Sequence, residues 1–396
     1  MSKKLQPRLR FKGFTDAWTQ RKLGEVTDSY SGGTPSVSVK EYYGGGIPFI
    51  RSAEINSAYT ELHLSESGLK NSSAKMVCKG QILYALYGAT SGEVGIAQVA
   101  GAINQAILAL DTHEDTSPEF LAQWLKKSKQ SILDTYLQGG QGNLSAQIVK
   151  DLKMCQPVTI SEQMHIGEFF RVLDDLIAIN QRKYDLLQRL KHAYLQQLFP
   201  APGQNMPRLR FLGFRDEWIP ARLGAVADIN PRAELPMSFD YVDLESVVGT
   251  TLVSHRTETL SSAPSRAQRL AKRGDIFFQT VRPYQQNNYL FDSSRNDFVF
   301  STGYAQLRPK MDSHFLMAKI QEAHFVGEVL DRCTGTGYPA INADDLAAII
   351  ILVPSPPEQQ MVGRFFQSLD RLIVDQNTEI GHLQTIKRGY LQQMFV

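Results

Sequence analysis

Cysteine is scarce. Cys78, Cys155 and Cys333 are the only three in 396 residues, far apart and odd in number. That excludes a disulfide framework and a thiolate zinc site, and it points to a reducing, cytoplasmic setting. Long apolar runs are missing as well. No stretch approaches the ~18 residues that a membrane span needs, and the opening MSKKLQPRLRF lacks the apolar centre of a secretory signal. An excess of one charge is also lacking. Lysine and arginine total 42 against 40 acidic residues, a net charge of +2, so any nucleic-acid surface must be a local patch. There is no Walker A sequence, and Gly88, Gly92 and Gly95 are too irregular for a dinucleotide fingerprint. The eight histidines have no His-Glu or cysteine spacing that suggests a metal. No carboxylate set is clustered as a metal-dependent nuclease requires. What remains is a globular composition, 42% hydrophobic and 21% charged, with length for two to four domains.

The chain repeats itself. Residues 162–199, EQMHIGEFFRVLDDLIAINQRKYDLLQRLKHAYLQQLF, return at 358–395 as EQQMVGRFFQSLDRLIVDQNTEIGHLQTIKRGYLQQMF, with 17 of 38 positions identical and no gap. In each copy apolar residues recur at steps of three and four: Ile166, Phe170, Leu173, Ile177, Tyr184, Leu187, Tyr194 and Leu198, then Val362, Phe366, Leu369, Ile373, Ile380, Leu383, Tyr390 and Met394. This heptad seam predicts one long helix per copy, built to lie against another helix and roughly 57 Å long at ~1.5 Å per residue. Prolines mark the ends, with Pro157, Pro354, Pro356 and Pro357 before the helices and Pro200 and Pro202 after the first. Asn180 and Gln376 hold the same repeat position at the helix midpoints and interrupt the seam. A pseudo-twofold axis there would bring two antiparallel helices into register at these amides. A second repeat, PRLRFKGFTDAWTQRKLGEVTD at 7–28, returns at 207–228 with 13 of 22 positions identical. The chain is a tandem duplication of a unit about 200 residues long.

Between the repeated segments lie two inserts, 29–156 and 229–353, that differ. One trace is shared: Lys79-Gly80-Gln81-Ile82-Leu83-Tyr84 aligns with Arg273-Gly274-Asp275-Ile276-Phe277-Phe278, a turn feeding a strand. The following loops differ, 85–92 in one and 279–288 in the other. A fixed strand presenting a variable polar loop is how a scaffold carries specificity. Further strands are predicted at Ile47–Arg51, Ala106–Leu110, Tyr241–Leu244 and Phe298–Phe300, and helices at Pro118–Ser128 and His314–Val329. Each insert therefore reads as a mixed α/β or α+β domain.

Ser31-Gly32-Gly33-Thr34-Pro35 followed by Ile47-Pro48-Phe49-Ile50-Arg51 looks like the start of a target recognition domain. Together with the Glu-Gln and Phe-Phe-x-x-Leu-Asp pattern at 162–174 and 358–370, and the Tyr-Leu-Gln-Gln-x-Phe endings at 194–199 and 390–395, it makes the chain resemble the specificity subunit (HsdS) of type I restriction–modification systems. The resemblance covers essentially the whole chain. It implies an α/β (α+β) fold with two similar target recognition domains, 1–156 and 201–353, and two long antiparallel coiled-coil helices, 157–200 and 354–396. It also implies a non-catalytic subunit in which each domain reads half of a bipartite double-stranded DNA site. The helices would set the spacer and dock two methyltransferase (HsdM) subunits, with restriction (HsdR) subunits joining the complex. S-adenosylmethionine, ATP and Mg would be bound by those partners and no cofactor by this chain. The second domain departs from the Ser-Gly-Gly-Thr-Pro pattern, with Asp228-Ile229-Asn230-Pro231-Arg232 in its place.

Phosphate binding calls for Arg, Lys and small hydrogen-bonding groups, and base reading for Arg, Asn, Gln and hydroxyls. In the first domain the candidates are Ser31, Gly32, Gly33, Thr34, Lys40, Arg51, Lys75, Lys79, Tyr84, Tyr87, Thr90, Ser91 and Asn143, with Asn104, Gln105, Gln138 and Gln141 beside them. In the second they are Asn230, Arg232, Arg266, Arg269, Lys272, Arg273, Gln279, Thr280, Arg282, Tyr284, Gln285 and Asn287, with Gln286. Within the second set, Arg282 and Gln279 lie in the part that differs between inserts and are expected to read bases, whereas Arg273 belongs to the shared turn. No catalytic residues are assigned. Ser355-Pro356-Pro357-Glu358 has some likeness to the Asn/Asp-Pro-Pro-aromatic motif of adenine methyltransferases, but its fourth residue is not aromatic and a helix begins there. Two other classes stay open on the residues alone: a methyltransferase or nuclease with its own site, and a protein-binding scaffold with no DNA role.

Overall fold

The computed structural model describes residues 5–137, 143–335 and 337–396, so Gln138 and Gln141 lie outside the described residues. The chain divides into two compact units, Met1–Asn180 with Glu379–Val396, and Gln181–Thr378. The heptad segments are continuous helices, Ile160–Gln197 and Pro356–Met394, and the division between units falls inside both.

In the first unit one antiparallel sheet has the order Thr27–Ser31, Ile107–Thr112, Ile82–Ala85, Val94–Ile96. A second has the order Leu62–Leu64, Tyr43–Ile50, Gly101–Ile103, Lys75–Val77, with a parallel pair at its centre. In the second unit the orders are Ala227–Ile229, Tyr304–Pro309, Ile276–Gln279, Tyr289–Leu290, and Arg256–Thr259, Ser238–Val242, Phe298–Ser301, Ala267–Leu270, again with one parallel central pair. The two inserts thus share a topology that their sequences barely show. Each is closed by a two-stranded ribbon, Thr19–Lys22 with Lys153–Gln156 and Ile219–Arg222 with Ile350–Val353. The helix at 118 runs longer than expected, Pro118–Tyr136, capped by the Ser117 hydroxyl accepting from the Phe120 amide. The predicted single helix at 314–329 is two helices, Ser313–Lys319 and Ala323–Asp331. Lys319 at the end of the first helix and Glu322 at the cap of the second pair with each other, both buried.

The repeated segments build the same core twice. In the first unit Trp18, Phe120, Phe170 and Phe395 pack ring against ring, with centroids 5.1–6.4 Å apart. In the second Trp218, Phe315, Phe366 and Phe199 do so at 5.5–6.0 Å. All eight are buried, and burial of such side chains stabilises by about 1.5–3 kcal/mol each. The first phenylalanine of each Phe-Phe pair meets a tyrosine from the other helix edge-on, Phe169 with Tyr390 and Phe365 with Tyr194. In each unit, therefore, the two helix segments run antiparallel. The Glu-Gln pair closes the arrangement. Glu162 accepts both Nε and Nη2 of Arg10 at 2.6 and 2.8 Å, and Glu358 accepts the same two atoms of Arg210 at 2.7 Å each. The Gln163 amide holds the Pro157 carbonyl and the Ser117 amide, and Gln359 holds the Pro354 carbonyl. The two repeated stretches in the sequence are the two sides of one buried contact.

Candidate nucleic-acid interface

Strand Ile276–Gln279 ends at the loop that the sequence singled out. Gln279 is only 2% exposed. Its Nε2 donates to the Val281 carbonyl and to Gln285 Oε1, each at 2.8 Å, its Oε1 accepts from the Asn287 amide at 3.2 Å, and its own amide donates to Asn288 Oδ1 at 2.9 Å. Gln279 thus organises the loop from within, and its amide is already occupied. Past it, Thr280 donates its hydroxyl to the Gly303 carbonyl. Residues 283–285 form a 3-10 turn flanked by Arg282 and Gln286, both in left-handed backbone at φ 54. A bridge from Val281 to Ala340, and the Arg282 amide donating to the Pro339 carbonyl at 2.7 Å, tie this loop to a second one. The Arg282 guanidinium lies 4.3 Å from the ring centre of Tyr338. The result is a cleft of about 580 Å³ lined by Leu244, Glu245, Val247, Val248, Arg266, Gln279, Val281, Arg282, Gln285, Asn287 and Tyr338. Five residues chosen from the sequence meet there.

Several arginines of this unit are neutralised by carboxylates. Arg210, Arg256, Arg273, Arg295, Arg308 and Arg332 are each bound to carboxylates. Among the described residues no carboxylate pairs with Arg266 or Arg282. Positive charge is therefore left uncompensated at this cleft, although Glu245 is also on its wall. Other candidates stand elsewhere. Arg273 is held by Asp292 at the turn, and Lys272 donates its amide to Asp275. Arg269 is half-buried, its Nε has no partner among the described residues, and burial pushes its pKa down. Asn230, at φ 52, is locked to Gln306 by reciprocal bonds, with Arg232 exposed just beyond it. Tyr284 is exposed and Asn287 accepts from the Gly249 amide.

In the first unit the equivalent strand, Ile82–Ala85, leads into a loop carried on Gly88 and Gly92, both at positive φ. Tyr87 bridges Asn143, as Val281 bridges Ala340. Tyr84 is fully buried, and burial pushes its phenol up to about 12. Ser91 is buried, donating to the Leu86 carbonyl, while Thr90 is half-buried. Gly32 and Gly33 have a packing reason: a Cβ would lie 1.8 Å from the Ile103 carbonyl oxygen and 1.9 Å from Ser73 Oγ. Thr34 donates to Gln105 Oε1 at 2.7 Å, which places Ser31–Thr34 beside Asn104 and Gln105. Arg51 is held by Glu54 and Glu61, whereas Lys40, Lys75 and Lys79 are exposed. Sequence reasoning missed Tyr338. Aligned on the equivalent bridges and helix caps, Asn143-Leu144-Ser145 faces Ala340-Ile341-Asn342 with no residue in common, so no sequence signal marked Tyr338.

Comparison with known proteins fixes the class. The pattern of the type I restriction modification DNA specificity domain matches residues 15–189 and 268–387. The chain belongs to that family. Its part is recognition of DNA sequence as a non-catalytic specificity subunit. It is 22% identical to the type I restriction enzyme MjaIX specificity subunit of Methanocaldococcus jannaschii, over 95% of this chain and 92% of that protein. It is 29% identical to the HindI specificity subunit of Haemophilus influenzae over 39% of this chain and 35% of that one. The S subunit of a type I system from M. genitalium has the same fold, with a TM-score of 0.68 at 16% identity and 99% of both chains covered. No helix among the described residues is long and apolar enough to cross a membrane.

Proposed function

We propose that each unit reads one half of a bipartite double-stranded DNA site, and that the long helices fix the spacing between the halves and carry two methyltransferase subunits. The observation that supports this reading most is the repetition of one strand order beneath two unlike loops, 86–93 and 280–288, each following the equivalent strand. Identical scaffolds with different reading loops suit two different half-sites. In this reading the restriction subunits join the assembled complex. S-adenosylmethionine, ATP and Mg serve the partners, and the complex works in the cytoplasm. The test is to replace 29–156 by the corresponding insert of a relative, assemble the complex and sequence the methylated sites in a host. One half of the recognised sequence is expected to change. A change in both halves together would overturn the assignment of one unit to one half-site.

A further inference from the structure

Arg282 stands where the fold prefers glycine. Strands Ile82–Ala85 and Ile276–Gln279 are equivalent, and so are the bridges at Tyr87 and Val281. The next residue is Gly88 in the first unit, at φ 84, and Arg282 in the second, at φ 54. Both adopt left-handed backbone, which glycine enters freely and an L side chain rarely does. The first unit uses the conformationally cheap residue, whereas the second carries a long cation against the local preference. Such strain persists where the surrounding structure imposes it, and it marks a side chain with a task.

The surroundings define the task. The Arg282 guanidinium is set over Tyr338, with no carboxylate partner among the described residues, and it lines a cleft shared with Arg266, Glu245, Gln285 and Asn287. A guanidinium 4.3 Å from a ring centre is attracted to the ring face and restrained there, while its N–H donors remain able to bond a ligand. Those donors match the paired acceptors O6 and N7 of guanine in the major groove. A phosphate contact needs charge alone and would not require a strained backbone and a stacking partner to orient the fork.

We infer that Arg282 is the guanine-reading residue of the second half-site, and that Tyr338 is a positioning residue that aims it. This rests on the DNA-reading assignment above. The experiment selects from duplexes randomised over both half-sites, using the full chain assembled with its methyltransferase subunits. The unaltered complex is expected to require a G·C pair at one position of the second half-site. Arg282→Gly should weaken that requirement about 10- to 100-fold and leave the first half-site unchanged, with an equal or higher melting temperature because glycine relieves the strain. Arg282→Lys should keep overall affinity and lose the discrimination, since a point charge has no fork. Tyr338→Phe should preserve the reading and Tyr338→Ala should blur it. The inference is overturned if the second half-site contains no G·C pair, if Arg282→Gly keeps full discrimination, or if it weakens binding to all duplexes alike. Enrichment of no sequence in either half would instead remove the DNA-reading assignment on which the inference rests.

Discussion

Asp174 and Lys387 are bound across two antiparallel helix segments, and the same bond recurs between Asp370 and Lys191, each partner displaced by 196 positions. In the first unit Lys126 and Gln123 also reach Asp174, at 3.2 and 2.8 Å. This explains the aspartate of each Phe-Phe-x-x-Leu-Asp motif and the lysine shared at 191 and 387. Apolar seams alone tolerate slippage by a heptad, but charges fixed at one level do not.

Asp174→Asn is expected to lower stability by about 1.5–3 kcal/mol, the range for hydrogen bonds to charged groups, measured by urea unfolding. Burial raises the pKa of Asp174, but Lys126, Lys387 and Gln123 together pull it below the ordinary 3.8. A depressed carboxyl contributes stability above its ordinary value and loses it as pH falls through the folded value. Unfolding curves at falling pH should therefore show a loss below about 4 that Asp174→Asn diminishes. An unchanged acid limb in the variant would exclude this carboxylate as the source.

Glu162→Ala leaves Arg10, 13% exposed, without its partner. Removing one member of a buried pair costs about 3–5 kcal/mol. Removing both by Arg10→Leu with Glu162→Leu should recover part of that loss. Melting temperatures of the single and double variants check the difference, and the Arg210–Glu358 pair should behave alike.

Gln279→Ala should loosen the loop 280–288 rather than delete a base contact. Several bonds converge on its buried amide, and stranding their partners costs about 1–3 kcal/mol. Faster hydrogen exchange across 280–288, with other strands still protected, is the expected reading. Unaltered exchange there would contradict the organising role.

Gln376 is buried and Asn180 half-buried at the seam positions. Replacing both by Leu together is expected to leave thermal stability equal or higher, while relaxing discrimination between sites of different spacer length. A shift of one heptad is roughly 10 Å at ~1.5 Å per residue, about three base pairs at ~3.4 Å each. Strict spacer selectivity retained in the double variant would remove the register role.

The sequence by itself determined the duplication, both long helices, the shared strand after Gly80 and Gly274, and the family. These are properties of local periodicity and self-similarity, which need no knowledge of distant contacts. It also singled out the loop after that second strand, but it placed Gln279 and Arg282 on an equal footing there. Only the tertiary structure separated them. Whether a polar side chain faces water or its own backbone depends on which strands flank it, and Gln279 ends a strand, paired there with Tyr304. Tyr338 lies 56 positions from Arg282 and reaches it only because the bridge at Val281 and Ala340 draws two loops together. The surroundings of the buried Lys319–Glu322 pair are likewise non-local, since Lys319 lies over the ring of Phe199. Pattern reports what a segment prefers, and packing decides which preference is spent.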